Sequence, residues 1–128
     1  MACILIIDDD ETVRRTAKIV LDANGFDAVL VADGKSGINA VEERHFDAVI
    51  VDLFMPGMDG LETTKAIRKL SPQLPIIAAS GFMFGGSCPE MPKFQEIAEE
   101  AGAISTLYKP FRANDLLQAI QKAIRVAA

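Results

Sequence analysis

Short apolar, β-branched runs alternate along this chain with longer stretches in which apolar residues return at helical spacing. Cys3-Ile4-Leu5-Ile6-Ile7 is continuously apolar, as expected of a parallel strand covered on both faces, and it stops at Asp8-Asp9-Asp10-Glu11. Val13, Ala17, Val20 and Leu21 then share one helical face, with Arg14, Arg15 and Lys18 between them and Asn24-Gly25 as a stop. Asp27 to Val31 reads as a second strand, and after Asp33-Gly34 comes a helix with Ile38 and Val41 on its inner face. Asp47 to Asp52 is the third strand, turning at Pro56-Gly57 into a helix carrying Leu61, Ile67 and Leu70 until Ser71-Pro72. Pro75 to Ser80 and Ile104 to Tyr108 complete the strands. The intervening helix resumes at Phe94, Ile97 and Ala98, and the last carries Leu116, Leu117, Ile120 and Ile124. Between them, Gly81 to Pro92 is glycine- and proline-rich and has no regular period.

Strands alternating with helices imply βαβ crossovers: an α/β, doubly wound five-stranded parallel sheet flanked by five helices. At 128 residues the expectation is one domain spanning 1–128, with no output domain in this chain.

Composition narrows the function. The net charge of -5, with Lys and Arg scattered, opposes a nucleic-acid surface. Cys3 and Cys88 are too few for a disulfide framework or a thiolate metal site, and no apolar run approaches the roughly 20 residues of a membrane span. A cytoplasmic protein, neither membrane-embedded nor DNA-binding, is expected.

The candidate chemistry lies at the strand ends. Parallel strands all point one way, so Asp8, Asp9, Asp52, Ser80 and Lys109 should crowd one edge, where open α/β sheets bind ligands. Packed carboxylates repel one another unless a cation intervenes, and a hard, oxygen-rich site suits Mg2+. With a cation there, Asp52 could carry a phosphoryl group as a nucleophile, its charge offset by Lys109 and the Ser80 hydroxyl.

Ile-Ile-Asp8-Asp9, Asp52-Leu-Phe-Met-Pro-Gly-Met-Asp-Gly60, a hydroxyl residue after the fourth strand and Tyr-Lys109-Pro110-Phe111 together resemble the receiver domain of two-component response regulators, over essentially the whole chain. The resemblance implies a flavodoxin-like fold and a phosphorelay. Asp52 would accept the phosphoryl group from a phosphohistidine of a histidine kinase or histidine phosphotransfer protein. The metal, Mg2+ (or Mn2+), would be held by Asp9 and Asp52 directly, by Asp8 mainly through water, and by the backbone carbonyl of Phe54. Ser80 would turn toward the phosphoryl group, Lys109 would pair with it, and the Lys109-Pro110 bond would be cis. A homodimer formed on phosphorylation is left open. The chain would be a signalling phosphoacceptor, not an enzyme beyond its own phosphorylation and dephosphorylation. Thr106 stands where many members carry an aromatic residue that turns inward, and the Gly81 to Pro92 loop is longer than in compact members.

Asp8-Asp9-Asp10-Glu11-Thr12 also fits the Asp-x-Asp-x-Thr motif of haloacid-dehalogenase-type phosphohydrolases, with Asp8 as nucleophile, but that reading leaves Asp52 and its loop without a role. A receiver-like interaction module that never carries phosphate would be expected to lack part of the site. The acidic loop after the first strand lacks the donors a flavin phosphate needs. Asp10 and Glu11 suit helix capping, His45 a surface or packing role, and Phe82, Met83, Phe84 and Met91 either a cover over the helix or a partner contact.

Overall fold

The computed structural model describes residues 2–53, 60–81, 91–109 and 111–127, excepting the side chains of residues 81, 91–94, 126 and 127. Strands β1 (Cys3–Ile7), β2 (Asp27–Val31), β3 (Ala48–Asp52), β4 (Ile76–Gly81) and β5 (Ser105–Lys109) alternate with helices α1 (Glu11–Ala23), α2 (Gly34–Glu43), α3 (Gly60–Leu70), α4 (Met91–Ala101) and α5 (Ala113–Ala127). All strand pairs are parallel, in the order β2-β1-β3-β4-β5. The chain steps from β1 outward to β2 and then returns to the other side of β1, so the order in which strands are added reverses between β1 and β3. That reversal opens the crevice in which doubly wound sheets hold ligands.

Strand alternation builds two cores. Leu5, Ile7, Val49, Val51, Ile76 and Ala78 face α3 and α4 through Ile67 and Ala98, with Ile38 and Val41 of α2 packed against them. Ile4, Ile6, Ile50, Ile77 and Leu107 face Ala17 and Leu21 of α1 and Leu116 and Ile120 of α5. Strands covered on both sides must be apolar throughout, as β1 is.

Helix starts match the capping chemistry. Asp10 is the N-cap of α1, its Oδ1 accepting from Thr12 N at 2.8 Å and Val13 N at 3.4 Å. Asp33 caps α2 through Ser36 N at 2.7 Å.

Two sequence expectations need correction. The buried face of α3 is Gly60, Thr63, Thr64 and Ile67, whereas Leu70 is 47% exposed. The helix start lies too close to β3 for a larger residue: a Cβ on Gly60 would stand 2.3 Å from the Asp52 carbonyl oxygen and 2.5 Å from Leu53 Cα. Thr64 tolerates burial because its hydroxyl donates to the Gly60 carbonyl at 2.8 Å. The fifth strand begins at Ser105, with Ile104 42% exposed just before it.

Candidate functional site

The carboxyl ends of β1, β3, β4 and β5 bring residues to one edge. Asp52 ends β3, and its register partner on β4 is Ala79, one residue before Ser80. Lys109 ends β5 opposite Gly81. Asp8 follows β1 directly, anchored by its N–H to the Val31 carbonyl at 3.2 Å. Asp8, Asp52 and Ser80 are nearly inaccessible, at 2%, 5% and 1% exposure, while Asp9 is exposed. Ionisable side chains are rarely buried so fully unless paired.

The pairing is supplied by Lys109. Its Nζ donates to Asp8 Oδ2 at 2.7 Å and to Asp52 Oδ2 at 2.8 Å. Asp8 Oδ1 also accepts from Asp10 N at 3.0 Å. One ammonium bridges two buried carboxylates, and Asp9 adds a third. Carboxylate oxygens of Asp8, Asp9 and Asp52 lie within 4.8 Å of one another. Three carboxylates facing one lysine leave net negative charge in a poorly solvated place. Burial pushes the Asp8 carboxyl above its ordinary range, against the pull of the Lys109 hydrogen bond. Burial alone would lower Lys109, but its hydrogen bonds to Asp52 and Asp8 outweigh that and hold it above the usual lysine range.

This donor set can hold a metal cation. Oxygens bound to one small divalent ion at about 2.1 Å lie at most about 4.2 Å apart, and the 4.8 Å span is near that limit.

The structure therefore brings together Asp8, Asp9, Asp52 and Lys109, with Ser80 at the adjoining strand end. The Phe54 carbonyl, the Lys109-Pro110 bond, Asp59, and the Phe82, Met83, Phe84, Cys88 and Met91 side chains lie outside the described residues. Thr106 is half-buried in β5, in register with Ala78. His45 stands at the opposite edge of the sheet, exposed, 3.5 Å from Asp47. Arg14 went unremarked in the sequence as one of several helix-surface cations, yet its Nη1 donates to the Asp8 carbonyl at 2.8 Å. Its place one turn into the helix after the acidic loop does not by itself say which group it reaches.

A doubly wound parallel sheet with a buried acid–lysine cluster at its switch point defines the class: an α/β domain whose strand-end carboxylates could hold a cation. The particular family follows from comparison. The profile described as Response regulator receiver domain matches residues 4–121, and the chain belongs to that family. It is 34% identical over 127 residues to the transcriptional regulatory protein FixJ of Bradyrhizobium diazoefficiens, covering 97% of this chain and 57% of that protein. It is 32% identical over 122 residues to the response regulator MprA of Mycolicibacterium vanbaalenii, covering 95% of this chain and 50% of that one. The chain thus spans about half the length of these curated relatives.

Among solved structures, the CheY-like receiver domain protein of Methanospirillum hungatei superposes with TM-score 0.86 at 25% identity, covering 99% of this chain and 96% of that one. The chemotaxis protein CheY4 of Vibrio cholerae gives 0.85 at 29%, covering 96% and 98%. Receiver domains are signalling phosphoacceptors. The phosphohydrolase reading is not favoured by these matches, and Asp10, which it would need at the reacting centre, is occupied in capping α1. Nor is the module without phosphate favoured. Among the described residues no helix is long and apolar enough to cross a membrane.

Proposed function

We propose that Asp52 accepts a phosphoryl group from a phosphohistidine on a histidine kinase or histidine phosphotransfer protein, and that the modified domain alters its binding to a downstream protein. The observation that carries this reading is the Lys109 ammonium bridging buried Asp8 and Asp52 beside Asp9. Asp8, Asp9 and Asp52 would hold Mg2+ (or Mn2+), with the Phe54 carbonyl as a further ligand. The metal supplies positive charge against the phosphoryl oxygens.

The chain's own residues do the rest. An Asp52 carboxylate oxygen attacks phosphorus, the P–N bond breaks, and the electron pair returns to the imidazole nitrogen of the donor. Lys109, held between two carboxylates beforehand, is within reach of the new phosphoryl oxygens and exchanges one partner for them. The Ser80 hydroxyl, one residue beyond the register partner of Asp52, would donate to the same group. The domain turns over no substrate beyond its own phosphorylation and dephosphorylation. Such a donor implies a cytoplasmic reaction. The names of FixJ and MprA refer to regulators, and in this chain the net charge of -5 favours protein partners over a DNA backbone.

The test is incubation with Mg2+ and acetyl phosphate followed by intact-mass measurement. One phosphoryl group is expected on the wild type and none on Asp52→Asn. Equal incorporation in that variant would remove Asp52 as acceptor. Lys109→Ala is expected to retain incorporation but lose the accompanying change in amide hydrogen exchange; an unchanged exchange response in that variant would refute the coupling role of Lys109.

A further inference from the structure

Asp9 is the one exposed member of the acidic cluster, and its position depends on the two peptide groups that flank it. Both are pinned. The Asp9–Asp10 peptide N–H donates to Asp8 Oδ1 at 3.0 Å, and the Asp8–Asp9 peptide carbonyl accepts from Arg14 Nη1 at 2.8 Å. Arg14 itself is half-buried in the first turns of α1, where its own N–H bonds the carbonyl of the N-cap residue Asp10 at 3.1 Å. The guanidinium thus reaches back over the helix start and fastens the loop to the helix.

We infer that Arg14 is a positioning residue for the metal site, fixing the backbone from which the Asp8 and Asp9 carboxylates project. This rests on the metal-dependent phosphoacceptor reading above. Hydrogen-bond partners that orient metal ligands typically matter at the level of about 10- to 100-fold in affinity. Arg14 acts on a backbone carbonyl rather than on a ligand atom, so the lower end of that range applies.

Charge and positioning predict opposite signs. Removing a cation beside a cation site should tighten Mg2+ binding by electrostatics alone, whereas loss of the fastening should weaken it. Arg15 is the internal control. It sits on the same helix with the same charge, but it is exposed and only loosely paired, 4.0 Å from Glu11. Arg14→Met keeps most of the aliphatic stem, and Arg14→Lys keeps the charge but not the planar fork.

The experiment is Mg2+ titration by calorimetry on the wild type, Arg14→Met, Arg14→Lys, Arg15→Met and Asp9→Ala, with thermal unfolding of each in the absence of metal. Mg2+ affinity should fall about tenfold in Arg14→Met and by less in Arg14→Lys, and stay within about twofold of wild type in Arg15→Met. Saturating Mg2+ should restore the rate of acetyl phosphate labelling in Arg14→Met. Unchanged or tighter Mg2+ binding in Arg14→Met, with or without a fall in Tm, overturns the positioning role. Unchanged affinity in Asp9→Ala would instead overturn the metal site on which the inference rests. If Arg14→Met does not fold, Arg14→Lys against Arg15→Met decides on the same criterion.

Discussion

Strand β3 has an aspartate at each end, and the two have opposite fates. Asp47, just before its amino end, faces β1, where its Oδ2 accepts the Cys3 N–H at 2.8 Å and its own N–H bonds the Cys3 carbonyl at 2.8 Å. It completes the hydrogen bonding of a strand start, and its side chain remains 35% exposed. Asp52, at the carboxyl end, is buried among Asp8, Asp9 and a lysine. The residue type is the same and the strand is the same. What differs is the end of the parallel sheet: one gathers backbone groups seeking partners, while the other gathers side chains from four strands into a crevice.

That contrast can be broken from the side of Asp52 first. Lys109→Met leaves two buried carboxylates without their ammonium, and metal-free stability should fall by about 3 kcal/mol. Mg2+ should restore part of it, because an ion that binds only the folded state stabilises it. Urea unfolding with and without Mg2+ measures both, and a loss under about 1 kcal/mol, or no recovery, would contradict the cluster's electrostatics.

Gly60→Ala comes next. The added methyl has no room against the Asp52 and Leu53 backbone, so a cost of about 2 kcal/mol is expected. It should be accompanied by weaker Mg2+ binding, because the backbone that must yield carries Asp52. Loss of stability with unaltered metal affinity would show that α3 yields and Asp52 does not.

At the other end of the strand, Asp47→Ala should cost about 1 kcal/mol by leaving the Cys3 N–H without its partner, and it should leave Mg2+ affinity and phosphoryl incorporation as in the wild type. A change in either would erase the distinction between the two ends.

The smallest effect is at the α2 cap. Hydrogen bonds from Ser36, led by its backbone N–H, hold the Asp33 carboxyl below the ordinary carboxylate range. A lowered folded-state value means the stabilisation is present above the unfolded pKa and is lost as pH falls through the folded one. Asp33→Ala should therefore cost about 0.5 kcal/mol at neutral pH and progressively less in acid below the usual carboxylate range. A deficit that persists there would point to some other cause.

Much of this was legible in the chain. Continuous apolar runs such as Cys3 to Ile7 state both the strand and its coverage on two faces, and the parallel direction then assigns Asp8, Asp52 and Lys109 to one edge. Periodicity failed where packing is governed by closeness rather than by hydrophobicity. The buried face of α3 joins Ile67 to Gly60, Thr63 and Thr64, which carry no hydrophobic signal, while Leu70, an apolar residue of the same helix, is exposed. Gly37 was missed for the same reason: a Cβ there would meet Ile7 Cδ1 at 2.3 Å, so α2 approaches β1 at a residue with no side chain. The link from Arg14 to the Asp8 carbonyl was not legible, because a helix-surface arginine gives no sign of which backbone oxygen it reaches.

The most direct test of the central claim is to locate the phosphoryl group in the wild-type protein. After labelling with acetyl phosphate and Mg2+, borohydride reduction converts an acyl-phosphorylated aspartate to homoserine, and peptide mass spectrometry finds the residue. The account predicts homoserine at position 52 alone, with Asp8, Asp9 and Asp47 intact and no product when the metal is chelated. Homoserine at position 8, or labelling that ignores the metal, would contradict it.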